Sequence, residues 1–370
     1  MNTKIVIFHP ALAPYRIDFF NALHEAFDIS FYFEHQNPLE QNFDQRDLNK
    51  RTRFSYSYLR PGVFGIKNLR LSVLGILRRE KPAMVFISEY NLIGLLVVLY
   101  KFIFNRKLKI VITCDDNLNM VSSVGQIKRL VRSFLVRNVN LIIVANDLVK
   151  AKYEELFPRN CQFFYFPIIQ KDSLFRKRLE EAYPLVSDLR EKYELDSKKI
   201  VLYVGRLVKV KNVELLLDAF IRYLSEHIDA VLLIVGDGNE RHLLEHKVSY
   251  YIQKRQIFFV GKKEGRELMS YYNLGEIFVL PSVYEPFGTV VNEALLAGCY
   301  VLCSSVAGSA RLIKEGQNGS LFDPANLNEL EDKLRQSLEK EFVKKENRML
   351  LPFEQYMEPL KRYLESLLNS

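Results

Sequence analysis

The feature that most constrains this chain is a rhythm. Short runs of mostly apolar residues recur along it, each parted from the next by a stretch long enough for a helix. Residues 5–8, 29–33, 84–87, 109–113 and 140–145 are such runs, and 17–27 is the first helical stretch between them. A strand that reads as continuously apolar is buried on both faces, and a parallel sheet covered by helices on both sides provides that. The rhythm pauses between residues 167 and 197, where polar and charged residues predict a linker with a short helix. It then resumes, with strands expected at 200–204, 230–235, 256–260, 277–280 and 300–303 and helices at 213–224, 240–255, 265–272 and 290–297. A last helix, 354–368, stands behind Pro352. A chain of 370 residues has room for two domains of ordinary size. The expected bounds are 1–170 for the first, 171–197 for the linker region and 198–350 for the second.

Charge is unevenly shared. Residues 1–178 hold 27 Lys and Arg against 15 Asp and Glu, while residues 179–370 hold 25 against 29. A basic half meets nucleic acid, anionic lipid or a phosphorylated acceptor, or it is simply a solvated surface. No nucleic-acid-binding motif is visible, so no such partner is expected. The four cysteines (Cys114, Cys161, Cys299, Cys303) form no C-x-x-C and no zinc-like cluster, as expected of reduced thiols in a cytoplasmic protein. The chain opens directly into an apolar strand rather than a signal peptide. Residues 92–104 are the most apolar stretch, too short to span a bilayer comfortably and interrupted by Lys101. They are expected to form a buried helix, with a peripheral membrane contact as the alternative. Lys128, Arg129, Arg132 and Arg137, interleaved with Leu130, Val131, Phe134 and Leu135, suit either a solvated helix face or an anionic membrane.

Ligands of parallel α/β sheets bind beyond the carboxyl ends of the strands. In the first half that edge holds His9, Glu89, Asp115 and Asp116. In the second half two segments stand out there. After the strand at 200–204 comes Gly205-Arg206-Leu207-Val208-Lys209-Val210-Lys211-Asn212. Gly205 permits a tight exit, and Arg206 and Lys211 can converge above the sheet. After the strand at 277–280 comes Glu285-Pro286-Phe287-Gly288-Thr289-Val290-Val291-Asn292-Glu293-Ala294. Two carboxylates bracket a turn that leads into a helix. Free backbone N–H groups and the positive helix end suit phosphate, and carboxylates suit sugar hydroxyls. Nucleoside-diphosphate sugars have both parts.

On these motifs the chain resembles the GT4-type family of retaining glycosyltransferases that use nucleotide sugars. The resemblance is specific from about residue 200 to 325 and mostly topological before that. It implies the GT-B fold: two Rossmann-like domains facing each other across a cleft, with the C-terminal helix, 354–370, packing back on the first. It implies an acceptor-binding first domain and a donor-binding second. Arg206 and Lys211 would hold the diphosphate, Glu285 the hydroxyls of the donor sugar, and Glu293 the ribose. Gly288, Thr289 and Val290, beside Phe287, would offer amides to phosphate. Val260 and Gly261 would meet the base through backbone groups. Gly236 is either a close approach to the donor or a plain turn, and Ala307-Gly308-Ser309 lines the cleft at most.

The opening loop, His9-Pro10-Ala11-Leu12-Ala13-Pro14-Tyr15-Arg16, lacks the glycine-rich sequence of many relatives. His9, Arg16 and Glu89 are candidates on the acceptor side. Relatives often place a histidine or carboxylate near the reacting sugar after the strand at 109–113, where this chain has Asp115 and Asp116, and either aspartate fits. Asp-Asp is not the Asp-x-Asp of metal-dependent transferases, and Arg206 and Lys211 supply positive charge, so neither metal nor cofactor is expected. The expected activity is transfer of a hexosyl unit to a saccharide or lipid-linked acceptor in cell-surface polysaccharide synthesis. A hydrolysing nucleotide-sugar epimerase and a non-catalytic anion-binding module are the rivals. A dehydrogenase is disfavoured because no G-x-G-x-x-G follows the first strand.

Overall fold

A computed structural model describes residues 3–37, 43–63, 66, 69–122, 125–158, 161–340 and 346–370. The chain divides into two compact units, residues 1–168 with 353–370, and residues 169–352. The first contains β1 (Ile5–His9), α1 (Ile17–Ala26), β2 (Ile29–Phe33), α2 (Gln45–Arg51), β3 (Tyr56–Tyr58), α3 (Ser72–Glu80) and β4 (Met84–Ser88). It continues with α4 (Leu92–Phe104), β5 (Lys109–Cys114), α5 (Leu118–Ser122), α6 (Gln126–Asn138), β6 (Leu141–Val144), α7 (Asp147–Leu156) and β7 (Gln162–Tyr165). The second unit contains α8 (Asp172–Ala182), α9 (Leu185–Tyr193), β8 (Lys199–Val204), α10 (Val213–Leu224), β9 (Ala230–Val235), α11 (Arg241–Lys247) and α12 (Ser249–Gln253). There follow β10 (Ile257–Gly261), α13 (Gly265–Leu274), β11 (Ile277–Leu280), α14 (Thr289–Leu296), β12 (Tyr300–Ser304), β13 (Gly319–Phe322) and α15 (Leu327–Glu339). The final helix, α16 (Phe353–Asn369), belongs to the first unit.

The first sheet has the order β3-β2-β1-β4-β5-β6-β7 and the second β10-β9-β8-β11-β12-β13. Every pairing is parallel. The central strands are buried on both faces, which is why they read as unbroken apolar runs: Ile5, Val6, Val85, Ile110, Val201, Leu202, Leu233 and Val279 have no exposed surface. Both sheets reverse their winding between two central strands, β1 and β4 in one and β8 and β11 in the other. In sheets of this kind the loops part beyond the strand ends where the winding reverses, and ligands bind there.

Three expectations need correction. Residues 171–197 are not a linker. They form α8 and α9, which pack on α13 through the Tyr193–Tyr271 hydroxyl contact at 3.0 Å and the Asn273 amide donating to the Leu179 carbonyl at 2.8 Å. Phe175, Leu179, Ala182 and Val186 bury a helical stripe there that the surrounding charges disguise. The helix expected over 240–255 is two, α11 and α12, parted at the buried Val248. Finally, α4 is buried on one face only: Ile93, Val97 and Val98 face the core, while Leu99, Phe102, Ile103 and Phe104 are exposed.

Candidate active site

In the second unit the switch point brings together the two segments that the sequence singles out. Gly205 leaves β8 with its N–H on the Val235 carbonyl, and the Tyr203 hydroxyl donates to the Arg206 carbonyl at 2.9 Å. That bond fixes the turn from which the exposed Arg206 projects. Lys211 ends a single 3-10 turn, and the Val283 N–H donates to the Val210 carbonyl at 3.0 Å, tying this turn to the loop after β11. The Lys211 ammonium is thereby ion-paired with the Glu285 carboxylate, both largely out of solvent. An ammonium has three protons to donate, so the pair leaves Lys211 able to serve a phosphate oxygen at the same time.

Gly288 stands in the left-handed region at φ 92° as the N-cap of α14, and no side chain caps the helix. The N–H groups of its first turn, at Thr289 and Val290, therefore lack an intrahelical acceptor. Phe287 points its ring into the core rather than outward, and its carbonyl accepts from the Ser309 N–H at 2.7 Å. The Gly308 N–H likewise donates to the Glu285 carbonyl at 3.2 Å. A Cβ on Gly308 would lie 2.1 Å from the Pro286 carbonyl oxygen, so the segment after β12 braces the Glu285 turn, a closer role than lining.

Glu293 is held from two sides. One carboxylate oxygen accepts from the Gln170 amide at 2.6 Å, the other from the Tyr272 hydroxyl at 2.7 Å. The Gln170 N–H bonds Asn292 Oδ1, and Arg178 donates to Gln170 Oε1 at 2.5 Å. Gln170 and Tyr272 were not foreseen: their link to Glu293 is purely tertiary, and no local pattern announces it. Gly236 stands in a turn that has no room for a side chain. A Cβ there would stand 1.8 Å from the Gly205 carbonyl oxygen, so the turn packs backbone to backbone against the Arg206 loop. The Gly261 carbonyl is occupied by the Gly236 N–H at 2.9 Å. Val260 lies between the pairs Phe259↔Ile234 and Gly261↔Val235, where the register shifts, so it is the bulged residue. A bulge leaves a residue's backbone out of the ladder.

The first unit gathers its candidates at its own switch point. The Glu89 N–H donates to the Thr113 carbonyl, and its carboxylate accepts from the Asp115 N–H at 2.9 Å. Burial, then the charges of Asp115 and Asp116, push the Glu89 carboxyl up to about 8. Arg16 is buried and paired with Asp115, and its Nε has no hydrogen-bond partner among the described residues. His9 Nδ1 donates to the Ala11 carbonyl at 2.9 Å. Burial, then Arg16, lowers the imidazole to about 4, so it is neutral at pH 7 and offers Nε2 as an acceptor.

The two aspartates separate. Asp116 is buried and accepts from Arg132 at 3.0 Å and from the Tyr153 hydroxyl, so it ties α6 and α7 to the sheet. Asp115 keeps its carboxylate partly in solvent. Glu89, Cys114 and Asp116 bring ligand-type atoms within 4.8 Å of one another. Asp116 is already paired with Arg132 and bonded to the Tyr153 hydroxyl, so its charge is taken up within the protein.

Residues 186–350 match the family described as glycosyl transferases group 1. An uncharacterized glycosyltransferase of Methanocaldococcus jannaschii is 39% identical over 131 residues, which are 35% of this chain and 33% of that protein. The alpha-D-kanosaminyltransferase of Streptomyces kanamyceticus is 32% identical over 153 residues, 41% of this chain and 40% of that one. The chain thus spans about a third to two fifths of the length of these curated relatives. A glycosyltransferase structure from Rickettsia africae superposes with a TM-score of 0.75 at 14% identity, covering 100% of this chain and 99% of the other. At that identity the likeness speaks to architecture, and it shows the expected GT-B fold, two Rossmann-like units with a C-terminal helix returned to the first.

Proposed function

We propose that this chain is a retaining glycosyltransferase that moves a hexosyl unit from a nucleoside-diphosphate sugar to an acceptor hydroxyl. One observation carries the reading: at the switch point of the second sheet, Arg206, the Lys211–Glu285 pair and the uncapped start of α14 occupy adjoining loops. Cations and amides suit the diphosphate, whose charge grows as the glycosidic bond breaks. Fixed positive groups act most strongly on that developing charge, and this is what makes them catalytic. Glu285 would accept from hydroxyls of the donor sugar. Glu293 would take the ribose, oriented by Gln170 and Tyr272, with a lone pair to spare on each oxygen. Backbone groups at the Val260 bulge would meet the edge of the base.

The first unit would serve the acceptor. Asp115 has the more accessible carboxylate of the aspartate pair, beside Arg16 and Glu89, and neutral His9 can accept from a hydroxyl. With Arg206 and Lys211 in place of a divalent ion, the reaction as proposed needs no metal. A saccharide or lipid-linked acceptor, and with it a part in cell-surface polysaccharide synthesis, belongs to the same proposal and rests on the family resemblance.

The test is turnover with UDP-, GDP- and ADP-hexoses, read as acceptor-dependent release of the nucleoside diphosphate. Arg206→Ala is the cleaner probe, because Lys211→Met would leave the buried Glu285 unpaired at a cost of about 3–5 kcal/mol. Losing one charge-assisted contact of about 1.5–3 kcal/mol predicts turnover lower by about 10- to 150-fold in Arg206→Ala, with unchanged melting. Glu285→Gln should lose turnover yet bind the nucleoside diphosphate. Full activity of Arg206→Ala would remove it from the mechanism, and release without an acceptor, yielding an epimerised free sugar, would favour the epimerase.

A further inference from the structure

The outward faces of α4 and α6 carry large apolar side chains that no described residue covers. Leu99, Phe102 and Ile103 on α4, and Ile127, Leu130 and Phe134 on α6, are between 44% and 79% exposed. Their spacings of three and four residues put each set on one side of its helix. The two helices lie side by side: the Lys101 ammonium on α4 donates to the Asn138 carbonyl at the end of α6 at 3.2 Å, and the methyls of Leu135 on α6 lie against Gly94 on α4. Six exposed large apolar residues on two neighbouring helices exceed the isolated exposures normal for a protein surface.

The charge around this face has one sign. Residues 92–138 contain eight Lys and Arg and two acidic residues, Asp115 and Asp116. Both acids are paired, Asp115 with Arg16 and Asp116 with Arg132, the one buried cation of α6. Arg106, Lys107, Lys128, Arg129 and Arg137 are exposed at the ends and flanks of the two helices. No helix among the described residues is long and apolar enough to cross a membrane.

We propose that the α4–α6 face docks on the surface of an anionic lipid bilayer. A bilayer interface supplies both complements at once, an acidic headgroup plane for the cations and an acyl layer beneath it for the apolar stripe. The alternatives each lack one of these. A second copy would set the same cations against one another, and nucleic acid offers nothing to the apolar side chains. The proposal stands on this face alone and does not need the transferase reading to hold.

Sedimentation with vesicles tests it, using the full chain and vesicles of phosphatidylcholine, with or without about 30% phosphatidylglycerol. The chain should pellet with the anionic vesicles at about 0.1 M salt and stay in solution with the neutral ones. Lys128→Ala with Arg129→Ala should weaken binding about 25-fold, at roughly fivefold for each charge. Leu130→Glu with Phe134→Glu should abolish it, and unchanged melting will show that these exposed positions leave the fold intact. Failure to pellet with anionic vesicles overturns the proposal. So does binding that ignores the glutamate substitutions. Concentration-dependent self-association lost in the same variant would make a second copy the occupant. Nucleoside-diphosphate binding measured on each preparation reports separately on the donor site.

Discussion

Glu89 stands in the left-handed backbone region, at φ 62°, at the end of the strand that flanks the switch point of the first sheet. Such a conformation is uncommon for a residue with a side chain, and it persists only where surrounding bonds hold it. Here its N–H is fixed by Thr113 and its carboxylate by the Asp115 N–H. The carboxyl is raised from 4.5 to about 8, first by burial and then by its acidic neighbours. A raised carboxyl holds its proton more tightly in the folded state. Its stabilising contribution is therefore complete below about 4.5 and is lost as the pH rises through 8. Glu89→Gln keeps the acceptor oxygen and removes the titration. Relative to the parent, this variant should gain melting temperature between pH 5 and 9 and show a flatter profile. Parallel profiles across that range would refute the assignment.

Residues differ in how far the sequence alone announces them. Arg206, Lys211 and Glu285 were legible as candidates because each follows closely on the carboxyl end of a strand beside the switch point of the second sheet. Gln170 and Tyr272 were not, since their contact with Glu293 spans 123 and 21 residues of chain. Nor does an Asp-Asp dipeptide reveal which member turns inward; that is decided by Arg132 and Tyr153 on later helices.

Among elements, the central strands were legible for a physical reason. Burial on both faces leaves apolar residues throughout the middle of β1, β4, β8 and β11, with polar ones (His9, Ser88, Lys199) at strand ends alone. The short strands β3 and β13 carry partly exposed or small residues, and no apolar run marks them, while β7 lies in the aromatic run 163–166 beside Pro167, where a strand was not expected. In α8 and α9 the charged outer face outweighed the buried stripe, while in α4 the exposed face is as apolar as the inner one and gave no sign of being outside. The segment after β12 tests an element-level claim. Gly308→Ala drives a methyl into the Pro286 carbonyl and must displace the Glu285 turn. Overpacking of this kind costs about 1–3 kcal/mol, so urea denaturation should show that loss together with weaker nucleotide binding. Gly75→Ala, in a helix with nothing within 4 Å, is the control and should be neutral or stabilising by about 0.4–1 kcal/mol. Equal behaviour of the two variants would contradict the bracing role.

At the scale of the whole molecule, one strand order is used twice, and each copy gathers its polar side chains beyond the strands where the winding reverses. The two collections differ in chemistry. That of the second unit joins cations, a helix start and carboxylates, which on the proposed reading would take a nucleotide sugar. That of the first joins a raised carboxyl, a neutral imidazole and a partly exposed aspartate, which on the proposed reading would meet the hydroxyl groups of an acceptor. Titration calorimetry of UDP, GDP and ADP into the intact chain and into Arg206→Ala tests the division most directly. The account predicts that one of the three binds with a stoichiometry near one, and that Arg206→Ala weakens it by about tenfold or more. Heat from none of them, or equal affinity in both proteins, would contradict it.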